Sequence, residues 1–364
     1  MKIAFVHYPG RLSRLDAARA GTAPTEFLFG AIELERSGHE IEQYEVDPAA
    51  PASRVTRRLI DGNAGRGHLA PHLSAAVLAG TRRLLPELRS ADVVVATTTG
   101  TAMALAAWSR AGRLRKPLVG IVAGLLNDPW RRTRRLTTLP LLHRMQSVLY
   151  GPGELGGLRA LGLAERVHVV PFGVDVDFWV PGKIEPTREV LAIGNDGHRD
   201  WETLVAAAPH ISAPIRIFTR QVPPSRLPAN VTWERADWHL QVLSDEEVRD
   251  LYRRAAVVVV PIKDVPQPSG QSVTLQAMAT GRPVVLSKTR GLWAHEELRD
   301  GQNLVLVPPA DPRELARSVQ LLLDDQPRAN AIGLAARKSV LAGATSQRYA
   351  ERLLEVCRLA LAAG

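Results

Sequence analysis

"QPSGQSVTLQAMATGRPVV", residues 267–285, follows an apolar run at 255–260 and ends in another, Val284-Val285-Leu286. It opens as a loop of Pro, Ser and Gly and continues as a short helical pattern closed by Gly281. A short apolar run bounded by turn residues reads as a buried strand, so the stretch is a strand–loop–helix junction. At such a junction the first helical N–H groups have no helical acceptor, and the helix dipole places about half a positive charge there. Gly270 lets a ligand approach the backbone closely, and Ser272, near which the helix is expected to start, can cap it or contact an oxygen. Ser269, Gly270, Gln271, Ser272 and Val273 therefore form a candidate phosphate cradle, with a capped helix that binds nothing as the alternative.

The same alternation of strand and helix runs outward in both directions. Strands are expected at 3–6, 40–46, 93–96, 118–122, 147–150 and 167–170, with helices at 74–88 and 101–109 among them. After Pro171, Gly173 and Pro181-Gly182 mark a linker, and the pattern restarts. Further strands are expected at 190–193, 215–218, 231–233, 257–260, 284–286 and 304–307. Helices are expected at 201–207, 245–254, 272–280, 312–323, 329–341 and 346–362. The implied class is α/β with two doubly wound, Rossmann-like domains, 1–181 and 182–345, facing across a cleft. The last segment, 346–364, is expected to return to the first domain. In such sheets ligands bind beyond the C-terminal strand ends, which directs attention to the strand-to-helix loops.

Composition narrows the function classes. The 364 residues are 45% apolar and exceed what one core usually organises. Apolar runs such as 117–126 are far too short for a membrane span, and residues 1–8 read as a first strand rather than a leader. The one cysteine, Cys357, lies in an apolar helical pattern and reads as a core residue, in keeping with a reducing cytoplasm. The net charge is +9, carried almost wholly by arginine, since only six residues are lysine. Such a surface attracts nucleotides, acidic lipid headgroups or nucleic acid. With 5% aromatics and no helix-turn-helix, zinc-finger or RNP-like pattern, nucleic acid is not expected.

The stretches "SGQSVTLQAMATGRPVVLS" and "GQNLVLVPPADPRELARSV", with "VHVVPFGVDVDFW" and "VLAIGNDGHRDWETLVAA" before them, resemble the C-terminal donor-binding half of family 4 glycosyltransferases. The resemblance covers most of 165–345 and is loose in the first half, where "MKIAFV", "LERSGHEI" and "ADVVVATTT" carry it. It implies a GT-B fold and a retaining, metal-independent glycosyltransferase with a UDP-, GDP- or dTDP-linked sugar as co-substrate. A small molecule, a glycan or a lipid-linked sugar would be the acceptor. The family's two loop glutamates fall at Pro268 and Gln276. Gln276 can still serve the ribose role that the resemblance implies, because an amide both donates and accepts. Pro268 cannot hold the donor sugar, and Asp264, Gln267 or Gln271 would replace it. A non-catalytic sugar-nucleotide-binding protein and a nucleotide-sugar epimerase on the same fold are the alternatives.

The resemblance places Arg199, in the loop "GNDGHRDW" after the strand 190–193, nearest the family's diphosphate-binding lysine. Its planar fork suits phosphate oxygens and the charge on a leaving diphosphate. Asn195, Asp196 and His198 share that strand exit, and Arg220 with Gln221 closes the next strand, either beside the base or at the surface. On the acceptor side the candidates are Gly21 and Thr22 in the loop after the first strand, and Thr98 and Thr99 at a strand end. "GNAGRGHLAPH", 62–72, lacks a P-loop lysine and reads as a mobile loop; His68 and His72 have no third ligand near. The five arginines and the leucines between Trp130 and Met145 make a basic amphipathic segment, either a solvated face or a peripheral contact with the inner membrane face.

Overall fold

The computed structural model describes residues 1–363 other than 48, 185, 237–242 and 295. The chain divides into two compact units. The first comprises Met1–Ala20, Thr25–Pro171 and Gln347–Gly364, and the second comprises Gly21–Pro24 and Phe172–Ser346. Residues 172–181, expected to close the first domain, thus group with the second.

The first unit holds β1 (Lys2–His7), β2 (Glu40–Glu45), β3 (Val93–Ala96), β4 (Leu118–Ile121), β5 (Gln146–Leu149) and β6 (Val167–Val169). All pairings are parallel, in the order β2-β1-β3-β4-β5-β6. Its helices are α1 (Leu15–Arg19), α2 (Ala31–Arg36), α3 (Arg54–Gly65), α4 (Ala75–Leu84), α5 (Thr99–Arg110), α6 (Arg132–Leu142) and α7 (Leu155–Leu158). Strand side chains alternate between faces, and each face has its own core. Ala4, Val6, Val94 and Ala96 pack with Met103 and Leu105 of α5. Ile3, Phe5, Val93 and Val95 pack on the opposite face with Tyr349, Leu353 and Cys357. Those three belong to α13 (Ser346–Ala362), so the last helix completes the first unit's core. Burial among apolar side chains pushes the Cys357 thiol up to about 12, as befits a packing residue.

The second unit holds β7 (Val190–Ile193), β8 (Ile215–Thr219), β9 (Val231–Arg235), β10 (Val257–Val260), β11 (Val284–Ser287) and β12 (Val305–Val307). They form a parallel sheet in the order β12-β11-β10-β7-β8-β9. Around it lie α8 (Trp201–Ala207), α9 (Asp245–Arg254), α10 (Gln271–Ala279), α11 (Pro312–Asp324) and α12 (Gln326–Gly343). The four valines of β10 are wholly buried, as a central strand covered on both faces requires. The strand order reverses between β7 and β10, the position in such sheets whose strand-exit loops characteristically bind ligands.

One expected loop is in part helical: residues 62–65, read as the start of a glycine-rich loop, are the last turn of α3. No α3 residue is fully buried: Ile60 packs half-buried against the core, while Val55 and Leu59 stay exposed. The strand end at Thr98 is fixed locally. Thr98 caps α5, its Oγ1 accepting from Thr101 N–H at 3.3 Å while Thr101 Oγ1 accepts from Thr98 N–H at 3.2 Å. Thr98→Ala is expected to lower stability by about 1 kcal/mol, read from the urea midpoint.

Candidate functional site

In the second unit the loops after β7 and β10 are zipped together. Arg199 and Ile262 form an antiparallel bridge. Asp200 N–H donates to Pro261 O, and Lys263 N–H donates to His198 O, both at 2.9 Å. Farther along, Gly270 turns the chain into α10 with φ 75°, a left-handed conformation that suits glycine. The helix therefore starts at Gln271, and Gly270 takes the cap position expected of Ser272. Ser272 lies inside the first turn and caps nothing, which corrects that expectation. The first helical bond here is Thr274 N–H to Gly270 O at 3.0 Å, so the amides of Gln271, Ser272 and Val273 stand at the positive end of the dipole.

Arg199 sits between the two loops with 3% of its surface exposed. A Cβ at Gly194 would overlap its guanidinium, and a Cβ at Gly270 would stand 3.2 Å from Nη1 and 2.7 Å from Val260 Cγ1. Both glycines are therefore spaces that the arginine and β10 occupy. Its ion-pair partner is Asp196, with Nε 2.8 Å from Oδ2, an arrangement too bent to count as a hydrogen bond. Nη1 is sealed from solvent without a hydrogen-bond acceptor. A buried cation in this state is costly unless an anion completes it. Ser269 beside it is 8% exposed, and its Oγ is likewise sealed without a partner.

The neighbouring candidates have structural duties. Asn195 Nδ2 donates to Ala236 O at 3.0 Å, and its Oδ1 accepts from Arg220 N–H at 2.6 Å, so it ties together the exits of β7, β8 and β9. Asp196 also accepts from His198 N–H at 3.1 Å, shaping the turn that presents Arg199. Gln221 Nε2 donates to Asp196 O at 2.9 Å, while the Arg220 side chain is exposed. Gln276, 4% exposed, lies on the second turn of α10, where the Tyr252 hydroxyl donates to its Oε1 at 3.1 Å. Around Pro268 the loop is held from below: Asp264 accepts from Arg290 N–H at 2.8 Å and from Arg290 Nε at 2.9 Å. Of the replacements named for the missing glutamate, Asp264 is thus already engaged, and Gln267 and Gln271 stand nearer the helix start.

In the first unit Thr99 Oγ1 donates to Ala123 O at 3.0 Å and accepts from Ala123 N–H at 2.9 Å, joining the ends of β3 and β4. His68, read as a loop residue, has Nδ1 2.8 Å from Thr133 Oγ1 of α6. Gly21, in the short segment grouped with the second unit, has φ 73° with open space beside it, and Thr22 follows it. Two further groups escaped the sequence reading. Glu154 accepts from Gly124 N–H at 2.9 Å and Leu126 N–H at 2.6 Å, fixing the loop after β4, and burial raises its pKa against these bonds. His7 ends β1, wholly buried, with Nε2 3.1 Å from Gln43 Oε1 and Nδ1 3.3 Å from Thr97 Oγ1. A polar residue closing an apolar strand was the only signal for it.

With this geometry in view, the comparisons with known proteins are informative. Residues 187–325 match the family model described as Glycosyl transferases group 1. The chain is 29% identical over 232 residues to alpha-maltose-1-phosphate synthase of Mycolicibacterium smegmatis, covering 53% of this chain and 57% of that protein. It is 30% identical over 228 residues to D-inositol 3-phosphate glycosyltransferase 1 of Catenulispora acidiphila, covering 55% of this chain and 53% of that protein. The chain spans about half the length of these relatives. Among solved structures, sucrose-phosphate synthase from Thermosynechococcus elongatus superposes with a TM-score of 0.72 at 18% identity, covering 100% of both chains. Anabaena HepE in complex with UDP gives 0.67 at 15% identity, over 98% of this chain and 99% of that one. The resemblance to family 4 glycosyltransferases and the GT-B class of two Rossmann-like domains are both borne out.

Burial brings the His7 pKa down to about 4, with Arg11 adding to this and the Gln43 contact opposing it. The unfolded chain takes up that proton near pH 6.5, so the stability held by neutral His7 is complete above 6.5 and is lost as pH falls toward 4. Unfolding in urea should show about 2 kcal/mol less stability at pH 5 than at pH 7 from this group, a difference that His7→Gln removes.

Proposed function

We propose that the protein transfers a sugar from a nucleotide-diphosphate donor to an acceptor hydroxyl, with retention of configuration and without a metal. The observation that carries this reading is Arg199, buried between the loops after β7 and β10 with Nη1 unpartnered beside the start of α10. A diphosphate placed against the amides of Gln271, Ser272 and Val273 completes both the arginine and the helix end. As the bond to the sugar breaks, charge grows on the leaving diphosphate, and these fixed donors stabilise it there. The departing phosphate takes the acceptor's proton, so no protein base is required. Gln276, oriented by Tyr252, holds the ribose, and Gln267 or Gln271 contacts the donor sugar in place of the glutamate that Pro268 displaces.

HepE has been crystallised with UDP and glucose and with UDP-glucose, which makes a UDP-linked sugar the first donor to try and GDP- and dTDP-linked sugars the next. On the acceptor side Gly21, Thr22 and the region of Thr98 and Thr99 would meet a small molecule, a glycan or a lipid-linked sugar. Among the described residues no helix is long and apolar enough to cross a membrane. We place the protein in the cytoplasm, with the segment from Trp130 to Met145 touching the inner membrane face. Pro268 favours one other reading, a sugar-nucleotide-binding protein without turnover.

Titration with UDP, GDP, ADP and dTDP, with and without magnesium, should give selective binding that is independent of the metal. Gln276→Ala is expected to weaken that nucleotide about two- to tenfold. Arg199→Gln should lower kcat about 10²- to 10³-fold, a larger loss than its effect on nucleotide affinity. Tight donor binding by the wild type with neither transfer nor donor hydrolysis would establish the non-catalytic reading instead.

A further inference from the structure

We propose that α3 and α6 together form a docking surface for an anionic lipid bilayer. This deepens the membrane contact read for residues 130–145 and assigns it a second helix. The first observation is charge segregation. Residues 54–66 and 131–135 contain eight arginines and one acid, Asp61, in a chain with 46 basic and 37 acidic residues overall. Asp61 is turned to the start of α4, where Oδ1 accepts from Ala75 N–H at 2.8 Å. Among the described residues these eight make no ion pair, whereas Arg19 pairs with Glu35 and Arg83 with Asp47.

The second observation concerns where the arginines lie. α3 has no acidic residue in its first turn, which carries Arg54 and Arg57, and α6 begins with Arg132, Arg134 and Arg135, also without an acid. A helix N-terminus already bears partial positive charge, so cations there repel it. α9 shows the favourable arrangement, starting with Asp245, Glu246 and Glu247 and ending with Arg253 and Arg254, whereas α12 and α13 each carry a single arginine in an acid-free first turn. α3 and α6, neighbours that each carry more than one there, are completed by an anionic partner outside the protein.

Exposed apolar side chains identify the partner. Val55 and Leu59, one turn apart on one face of α3, are 67% and 58% exposed, and Leu136 of α6 is 69% exposed. A nucleic-acid backbone gives them nothing to contact, whereas the boundary between headgroups and acyl chains takes up apolar side chains ringed by cations. The helices are also joined. His68, just past α3, contacts Thr133, and Thr137 Oγ1 donates to His68 O at 2.9 Å, so the loop ties the end of α3 to α6. α3 follows β2 and α6 follows β4, which puts the arginine-rich first turn of α6 at the C-terminal end of the first sheet, where an acceptor held in the bilayer would be presented.

Sedimentation with vesicles of phosphatidylcholine, with and without phosphatidylglycerol, tests the assignment on the full chain. Binding should be at least about tenfold tighter with phosphatidylglycerol and fall with added salt. Replacing Arg54, Arg58, Arg132 and Arg135 by Ser should remove it. Val55→Ser with Leu59→Ser should weaken vesicle binding while leaving any binding to a DNA duplex unchanged. Absence of vesicle binding overturns the proposal, as does binding in which duplex DNA competes fully and the Val55/Leu59 change has no effect. Nucleotide affinity of the same variants should match the wild type, which verifies the fold. Loss of nucleotide binding by the wild type itself would sink the donor-site reading and leave the docking result standing.

Discussion

The second unit depends on one constraint, a guanidinium buried between two strand exits. Arg199 needs Gly194 beneath it and Gly270 beside it, because a side-chain carbon at either position would meet it. Asp196 compensates part of its charge from a half-exposed position. The turn that carries Asp196 is held by His198 N–H and Gln221, and Asn195 locks the same turn to the neighbouring strand ends. Most of the polar residues in "GNDGHRDW" therefore act on Arg199 or on the loop that carries it. Dense polarity at a strand exit reads as a ligand site, yet much of it here is scaffolding for a single cation.

The sheet order explains why that cation is where it is. In the second unit the reversal lies between β7 and β10, and the bridged loops that leave these strands carry Arg199 and lead to the start of α10. In the first unit the reversal lies between β1 and β3, and the strand ends there are His7 and Thr97, joined through the imidazole. The two switch points are built differently. One presents charge and backbone amides, whereas the other is closed by a neutral histidine and threonine hydroxyls. A donor diphosphate suits the former far better than the latter.

Fold class was legible because strands buried on both faces read as continuous apolar runs, and β3, β7 and β10 were found to the residue. α3 was not legible, since its few apolar residues do not line one buried face: Val55 and Leu59 are exposed and Ile60 is half-buried against the core. The start of α10 was displaced by one residue because a serine looks like a cap, while the left-handed turn at Gly270 makes a side-chain cap unnecessary. The resemblance named Arg199 as a candidate phosphate ligand, but its burial was not legible, because that depends on β10 coming alongside β7. Thr98 and Thr99 were read as acceptor residues from their place at a strand end; the structure engages them in capping α5 and in linking β3 to β4. His7 and Glu154 are single polar residues whose environments come from distant segments, which no local pattern encodes.

The central claim is that the Arg199 guanidinium awaits a diphosphate. It is tested most directly by comparing thermal stabilisation of the wild type and Arg199→Gln by a nucleoside diphosphate and by the bare nucleoside, beginning with UDP and uridine. The account predicts that the diphosphate raises the wild-type Tm well beyond the nucleoside, and that Arg199→Gln loses most of this difference while still folding. Equal stabilisation of the wild type by nucleoside and diphosphate, or an undiminished diphosphate effect in Arg199→Gln, would contradict it.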